Sequence, residues 1–315
     1  MHQSRQRTPG RRRQRGAALL TAMIIVTLVA TLAASMVWQQ WRAVQVEAAE
    51  RARVQSAWIL SGALDFAKLI LKETVRPTEP TTLNGEWATP LAESRLSTFL
   101  AVDKSNADDG PEAFLSGNIT DAQARYNLWN LVKDGKPDPA EVPTFARLCT
   151  IVGIESGTAD RIAAKLSEAS VGTSSVAPLK PDRIAQLTWL GVDSASIQAL
   201  EPYVALLQPG IAVNVNTASK EVLQALGDLD PSTAEYFVQL RQRTPLTVAS
   251  FTSKARDPTL VTTKLTDRST FFEVLGRLRL VDRVLVERSL LERLPNGQVK
   301  VWRRERVSSL EQAGG

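Results

Sequence analysis

No charged residue occurs between Gly16 and Arg42, and this gap constrains the fold more than any other feature of the chain. An apolar run from Ala17 to Trp38 fills it. A helix needs about 20 apolar residues to cross a bilayer, at roughly 1.5 Å of rise per residue. Six arginines (5, 7, 11, 12, 13 and 15) and no acid precede Gly16. Basic residues stay on the cytoplasmic side, so the bulk of the chain is expected beyond the membrane.

Three readings of this segment compete. A secretory signal peptide would be cut after its apolar core. The core here exceeds the usual length of about 7–15 residues, and Ala33-Ala34-Ser35 is a poor cleavage match. A plain signal anchor would be kept whole. A prepilin leader is cut before the apolar run, and Arg15-Gly16 followed by Ala17 fits that pattern, with Gly16 and Ala17 flanking the cut. Glycine gives a protease an unhindered backbone. Pilins carry Glu five residues after the cut, and Thr21 stands there instead. An unpaired ionisable group at membrane depth is costly. In pilins that Glu is thought to pair with a neighbour's N-terminal amine. A subunit without it suits the end of a filament.

Charge narrows the function classes. The 315-residue chain carries +5, but residues 1–16 hold six arginines and no acid, so the remainder carries −1. A near-neutral body argues against DNA binding through a basic surface. His2 is the only histidine and lies in the leader, which excludes histidine-dependent catalysis in a processed chain. Cys149 is the only cysteine, so no intrachain disulfide can form. No catalytic constellation and no metal-ligand spacing stands out.

The helical pattern continues past the apolar run. Val54, Ala57, Leu60, Leu64, Ala67 and Leu71 recur at helical spacing, and no proline occurs from Ala17 to Arg76. One helix over 17–75 follows, with its membrane half at about 17–38 and an amphipathic second half; it is about 85 Å long. Residues 77–110 read as a loop-rich connection. Val142–Thr150, Thr158–Ala169, Pro181–Leu190 and Ser194–Leu207 read as helices, Ile211–Asn216 as a strand, and Lys220–Leu226 as a capped helix. Phe271–Leu280, 282–290 and Val299–Val307 alternate as strands, with Asn296-Gly297 marking a hairpin.

Five stretches in fixed order then carry a resemblance. They are Glu86-Trp87-Ala88-Thr89-Pro90, Ile119-Thr120-Asp121 with Arg125-Tyr126-Asn127-Leu128-Trp129-Asn130-Leu131, Gln186-Leu187-Thr188-Trp189-Leu190, Leu200-Glu201-Pro202-Tyr203-Val204, and Val213-Asn214-Val215-Asn216-Thr217-Ala218. With Thr21, they resemble the minor pseudopilin K family of type II secretion systems over nearly the whole chain. The resemblance implies an α+β fold: a long N-terminal transmembrane and amphipathic helix packed on a pilin-like antiparallel sheet, with an inserted α-helical domain. The expected division is a cleaved leader at 1–16, the long helix at 17–75, the first part of the head at 76–135 and the helical insert at 136–208. A strand plus helix-hairpin-helix-like unit follows at 209–255, then C-terminal strands at 256–307 and a disordered tail at 308–315.

In the family, a carboxylate-rich loop of the insert resembles a calcium site. The matching stretch here, residues 167–175, holds only Glu168, so no ligand is carried over and no cofactor is expected. Residues 214–234 also resemble a helix-hairpin-helix DNA module, but Gly227-Asp228-Leu229-Asp230 puts two carboxylates where phosphate would approach. Nucleic-acid binding is therefore not expected. The resemblance implies a structural protein, not an enzyme. A prepilin peptidase would cut it after Gly16, leaving a methylated Ala17. It would sit in the inner membrane with a periplasmic head, then at the pseudopilus tip with minor pseudopilins I, J and H. The inner-membrane platform, the secretin and exported proteins are further partners. Two other classes stay in view: a membrane-anchored helix-hairpin-helix protein of DNA binding or uptake, and an anchored hydrolase with a site only the fold would assemble.

Overall fold

The computed structural model describes residues 14–96, 113–155, 157–172, 177–257, 264–280 and 283–307. The expected tail at 308–315, most of the leader, the Asp108–Pro111 loop and residues 173–176 of the expected linker lie outside them. The chain divides into two compact units, Met1–Trp58 and Ile59–Gly315.

The first unit holds the N-terminal part of helix α1 (Gln14–Thr74). Its apolar side chains, among them Leu19, Ile24, Val29 and Leu32, are exposed. The helix is long and apolar enough to cross a membrane. Its backbone polar groups are paired within the helix, as a lipid environment demands.

The second unit contains the C-terminal part of α1 and a five-stranded sheet. The strands are β1 (Leu91–Arg95), β2 (Ala113–Asp121), β3 (Phe271–Leu280), β4 (Arg283–Arg293) and β5 (Val299–Val307), in spatial order β1-β2-β3-β4-β5. Every neighbouring pair is antiparallel. Leu64, Ala67, Leu71 and Val75 form a helical stripe and pack against Trp87, Ile119, Phe272, Val274 and Leu291. Trp87 meets Phe272 edge-on, with ring centroids 5.2 Å apart. Alternation along each strand sends Phe272 and Val274 towards α1 and Phe271 and Glu273 to the opposite face.

Residues 122–270 form an insertion between two adjacent strands. The chain leaves the sheet at Asp121 and returns at Phe271, and Asp121 pairs with Phe272 in the β2–β3 register. The insertion holds α2 (Val142–Ile151), α3 (Gly157–Val171), α4 (Ser194–Leu200), α5 (Lys220–Gly227), α6 (Pro231–Leu240) and α7 (Val248–Thr252). One apolar cluster runs from Tyr126 to Leu265, with Phe145, Leu148, Ile162, Leu166, Leu223 and Phe251 at or near full burial. It takes in both the helices expected at 136–208 and the hairpin unit expected at 209–255. A smaller cluster of Ala122, Ala205, Leu207, Phe271 and Leu290 seats the insertion on the sheet face away from α1.

Local differences from the sequence reading are confined to short segments. The strand expected over 211–216 is a two-residue parallel bridge, Val213–Asn214 with Leu265–Thr266. The helix expected over Ser194–Leu207 stops at Leu200, because Val204–Ala205 pairs with Tyr126–Asn127. At the β4–β5 turn, Leu294 N donates to Gln298 O at 2.8 Å and Gly297 takes φ +82°, so the loop is longer than a two-residue turn.

Candidate functional site

The N-terminal site is a helix, not an exposed loop. Helical backbone runs from Gln14 through Gly16 and Ala17 into the apolar segment. Thr21 Oγ1 donates to Ala17 O at 2.8 Å and lies 3.0 Å from Ala18 O. Thr27, Thr31 and Ser35 donate in the same way to carbonyls three residues back. Each of these hydroxyls in the apolar run is thus satisfied inside the helix and asks nothing of its surroundings.

The neck of the insertion is built around Asp121, which is 4% exposed. Its Oδ2 accepts from Ser269 Oγ at 2.5 Å, Thr217 Oγ1 at 2.6 Å and Asn214 Nδ2 at 3.1 Å. Its Oδ1 accepts from Gln123 N at 2.8 Å. Asn214 Nδ2 also lies 2.9 Å from Thr81 O, and Ser269 N donates to Thr81 Oγ1 at 3.0 Å. Two segments distant in sequence, at 214–217 and at 269, therefore converge on one carboxylate, and Thr81 joins them through Asn214 and Ser269. Burial pushes the Asp121 pKa up, and the donors from Ser269, Thr217, Gln123 and Asn214 offset this only in part.

Beside the neck, Gln123 Oε1 accepts from Thr270 N at 2.7 Å and Phe271 N at 3.1 Å, which fixes the returning strand. Arg125 pairs with Glu273 at 3.1 Å. Burial raises the Glu273 pKa, but Arg125 and Arg288 outweigh it and hold the carboxylate below its usual range. Deeper in the insertion, Tyr126 Oη donates to Glu141 at 2.8 Å, and Lys264 Nζ lies 3.5 Å from the same carboxylate. The sequence reading singled out none of these partnerships.

The helices of the insertion meet through three hairpins of one design. Each has a left-handed residue, then a buried aliphatic whose N–H reaches back to the preceding helix. Gly153 (φ +81°), Gly191 (φ +77°) and Asp228 (φ +49°) take the left-handed position. Ile154 N donates to Cys149 O at 2.7 Å, Val192 N to Leu187 O at 3.3 Å and Leu229 N to Gln224 O at 3.0 Å. This is the helix-stop geometry in which the buried aliphatic seals the end. Asp193 and Asp230 then cap the next helices through Ser196 N and Thr233 N, both at 2.9 Å. Hydrogen bonds from Ser232 and Thr233, with Arg256 nearby, hold the Asp230 pKa far below its usual value. In the third hairpin Leu229 N turns inward to Gln224 O, and Asp228 and Asp230 flank Leu229, with Arg147 3.9 Å from Asp228 and Arg256 3.1 Å from Asp230.

The stretch at 167–175 offers a metal little. Glu168, its one carboxylate, pairs with Lys165 Nζ at 2.7 Å. Among the described residues, no three or more His, Cys, Asp or Glu side chains are grouped as a metal would need. Calcium takes clustered oxygens, about six to eight of them, and this donor set does not fit it.

Comparisons with known proteins follow this architecture. Two family models, both described as type II secretion system (T2SS), protein K, match residues 124–209 and 213–266. The chain is 29% identical to the type II secretion system protein K of Pseudomonas aeruginosa over 333 aligned positions, covering 94% of this chain and 93% of that one. It is 28% identical to the protein K of Klebsiella pneumoniae, covering 88% and 93%. A chain in the crystal structure of the GspK-GspI-GspJ complex from enterotoxigenic Escherichia coli aligns with TM-score 0.64 and 19% identity. The alignment covers 83% of this chain and 99% of that one.

Proposed function

This chain belongs to the type II secretion system protein K family, and from that premise we propose that it caps the pseudopilus tip, in complex with minor pseudopilins I and J and with H below. A minor pseudopilin of the type II secretion system is a structural subunit. Its work is assembly and transmission of force, not bond chemistry.

The observation that carries the tip position is the insertion of residues 122–270 between two hydrogen-bonded neighbours, β2 and β3. The neck at Asp121 holds that bulk on the head. A subunit so encumbered obstructs addition of a further subunit above it and presents its insertion to the secretin and to exported proteins. Thr21 supports the same reading, because its hydroxyl is spent on Ala17 O and Ala18 O and offers no charge to a neighbour.

Among the described residues one helix is long and apolar enough to cross a membrane, which suits a single-pass anchor. The arginine-rich leader sets its N-terminus in the cytoplasm and its head in the periplasm. A prepilin peptidase then cuts between Gly16 and Ala17, and Ala17 is methylated. With Glu168 the one carboxylate in the sequence at 167–175, this reading assigns no calcium to that stretch.

The test is the N-terminal sequence and intact mass of the protein from its own membranes, with and without the prepilin peptidase. The reading requires an N-terminus at Ala17 only where the peptidase is present, and co-purification of the processed protein with I and J. A leader retained in both samples, or a cut near Ser35, sinks it.

A further inference from the structure

The uncharged stretch of α1 is bounded by an arginine at each end, Arg15 and Arg42. They lie 27 positions apart, about 40 Å along a helix at roughly 1.5 Å per residue. A bilayer is about 40–45 Å thick with its headgroups, around a hydrocarbon core of about 30 Å. A helix near the bilayer normal therefore puts both positions at headgroup depth, on opposite sides of the membrane.

Three side chains gather at the outer position. Trp38, Trp41 and Arg42 are spaced i, i+3 and i+4, so one face of α1 carries them all. The two indoles are 60% and 61% exposed. The Arg42 guanidinium carbon lies over the Trp38 ring, 5.3 Å from its centroid, within the range of a cation–π contact. Arg42 has no acid partner among the described residues; Glu47, the next acid along the chain, pairs with Arg51 at 2.5 Å. Tryptophan favours the membrane interface, and a guanidinium matches phosphate with parallel N–H donors. Once a cut after Gly16 has removed the leader arginines, Arg42 is the first charged side chain of the helix.

We propose that Trp38, Trp41 and Arg42 form a phospholipid headgroup site at the outer surface of the inner membrane. The indoles lie in the interface, and Arg42, held over Trp38, donates to a lipid phosphate. A lipid fits the whole face, because its phosphate meets Arg42 while its acyl chain lies along the exposed apolar side chains below, such as Val29 and Leu32. A free phosphate would leave the indoles without a partner. The inference rests on the membrane-anchor reading above.

The experiment uses the protein from its own membranes, placed in phospholipid nanodiscs. Fluorescence quenching by lipids brominated high or low on the acyl chain is compared between the wild type and the double variant Trp38→Leu/Trp41→Leu. The difference reports these two indoles alone. Native mass spectrometry then counts the phospholipid kept on the protein after release, for the wild type, Arg42→Gln, Arg42→Lys and, as control, Arg51→Gln. Circular dichroism checks that each variant keeps its helix. The shallow bromines quench the two indoles more than the deep ones do. Arg42→Gln cuts the retained phospholipid about tenfold, and Arg51→Gln leaves it unchanged. Arg42→Lys keeps the charge but loses the paired donors, so it falls in between. Stronger quenching by the deep bromines, or retention that ignores Arg42→Gln, overturns the proposal and leaves the anchor standing. So does a phosphate-free galactolipid, in galactolipid nanodiscs, that is kept as well as phospholipid. Indoles that no brominated lipid quenches defeat the anchor and the proposal together.

Discussion

Ser269 donates to Asp121 at 2.5 Å across the point where the insertion leaves and re-enters the sheet. The two residues are 148 positions apart in sequence, yet their contact closes the neck of the insertion. The carboxylate is buried among neutral donors, with no cation among its hydrogen-bond partners, so its ionisation opposes folding.

Asp121→Asn tests this contact. The amide oxygen can replace Oδ2, which accepts from Ser269, Thr217 and Asn214, but the amide nitrogen then faces Gln123 N in place of the accepting Oδ1, and a buried donor is left unpaired. The cost is about 1–3 kcal/mol in denaturant unfolding. The pH dependence has a definite sign. The Asp121 pKa is raised in the folded state, so the folded protein holds its proton to higher pH than the unfolded chain. The stabilisation is complete below the unfolded value near 3.8 and is lost as pH rises through the folded pKa. The gap between wild type and variant is therefore widest in acid and narrows as pH rises. A gap that widens with rising pH contradicts the assignment.

The hairpins predict substitutions of opposite sign. At Gly191, with φ +77°, a Cβ would meet nothing within 4 Å, so Gly191→Ala costs backbone strain alone, about 1 kcal/mol. Asp228 already holds a left-handed conformation at φ +49° with a side chain. Asp228→Gly relieves that strain and stabilises the fold by up to about 1 kcal/mol. Thermal unfolding of the two variants should shift in opposite directions.

Cys149 is fully buried, and burial pushes its thiol up to about 12. Thiolate is the reactive form. Folded protein at mildly alkaline pH should resist alkylation, while denatured protein labels completely. Labelling before the unfolding transition would show that α2 opens locally.

Leu71 is fully buried between α1 and the sheet beside Phe272. Leu71→Ala should cost about 2–5 kcal/mol in global unfolding, the usual penalty for a cavity of that size. Leu69, which is 51% exposed on the same helix, should tolerate Ala within about 0.5 kcal/mol. Equal effects at the two positions would place the buried stripe wrongly.

Much of this architecture was legible from residue order. The helical stripe of Leu64, Ala67 and Leu71, the strand alternation of Phe271–Leu280 and the cap of the helix starting at Lys220 arise from neighbours within a few positions. Their physical causes are local, so periodicity and capping residues reveal them. The apolar gap before Arg42 is legible for the same reason, because bilayer thickness sets its length.

The neck was not legible. Asp121, Asn214 and Thr217 each resemble an ordinary turn or cap residue when read with their neighbours. Only the fold brings Asn214 and Thr217, 93 and 96 positions away, onto one carboxylate. The placement of Arg95 and Arg279 over Phe114 has the same origin, since each of the three sits on a different strand. Thus the sequence by itself determined the membrane-length helix, most of the strands and helices, and the hairpin at Gly227–Asp230, because hydrophobic period and backbone preference act over short range; strand β1 (Leu91–Arg95) lies in a stretch read as loop. Tertiary structure alone decided which polar groups lost their water together and which residues share a face of the sheet, because burial and strand register depend on the whole chain's packing.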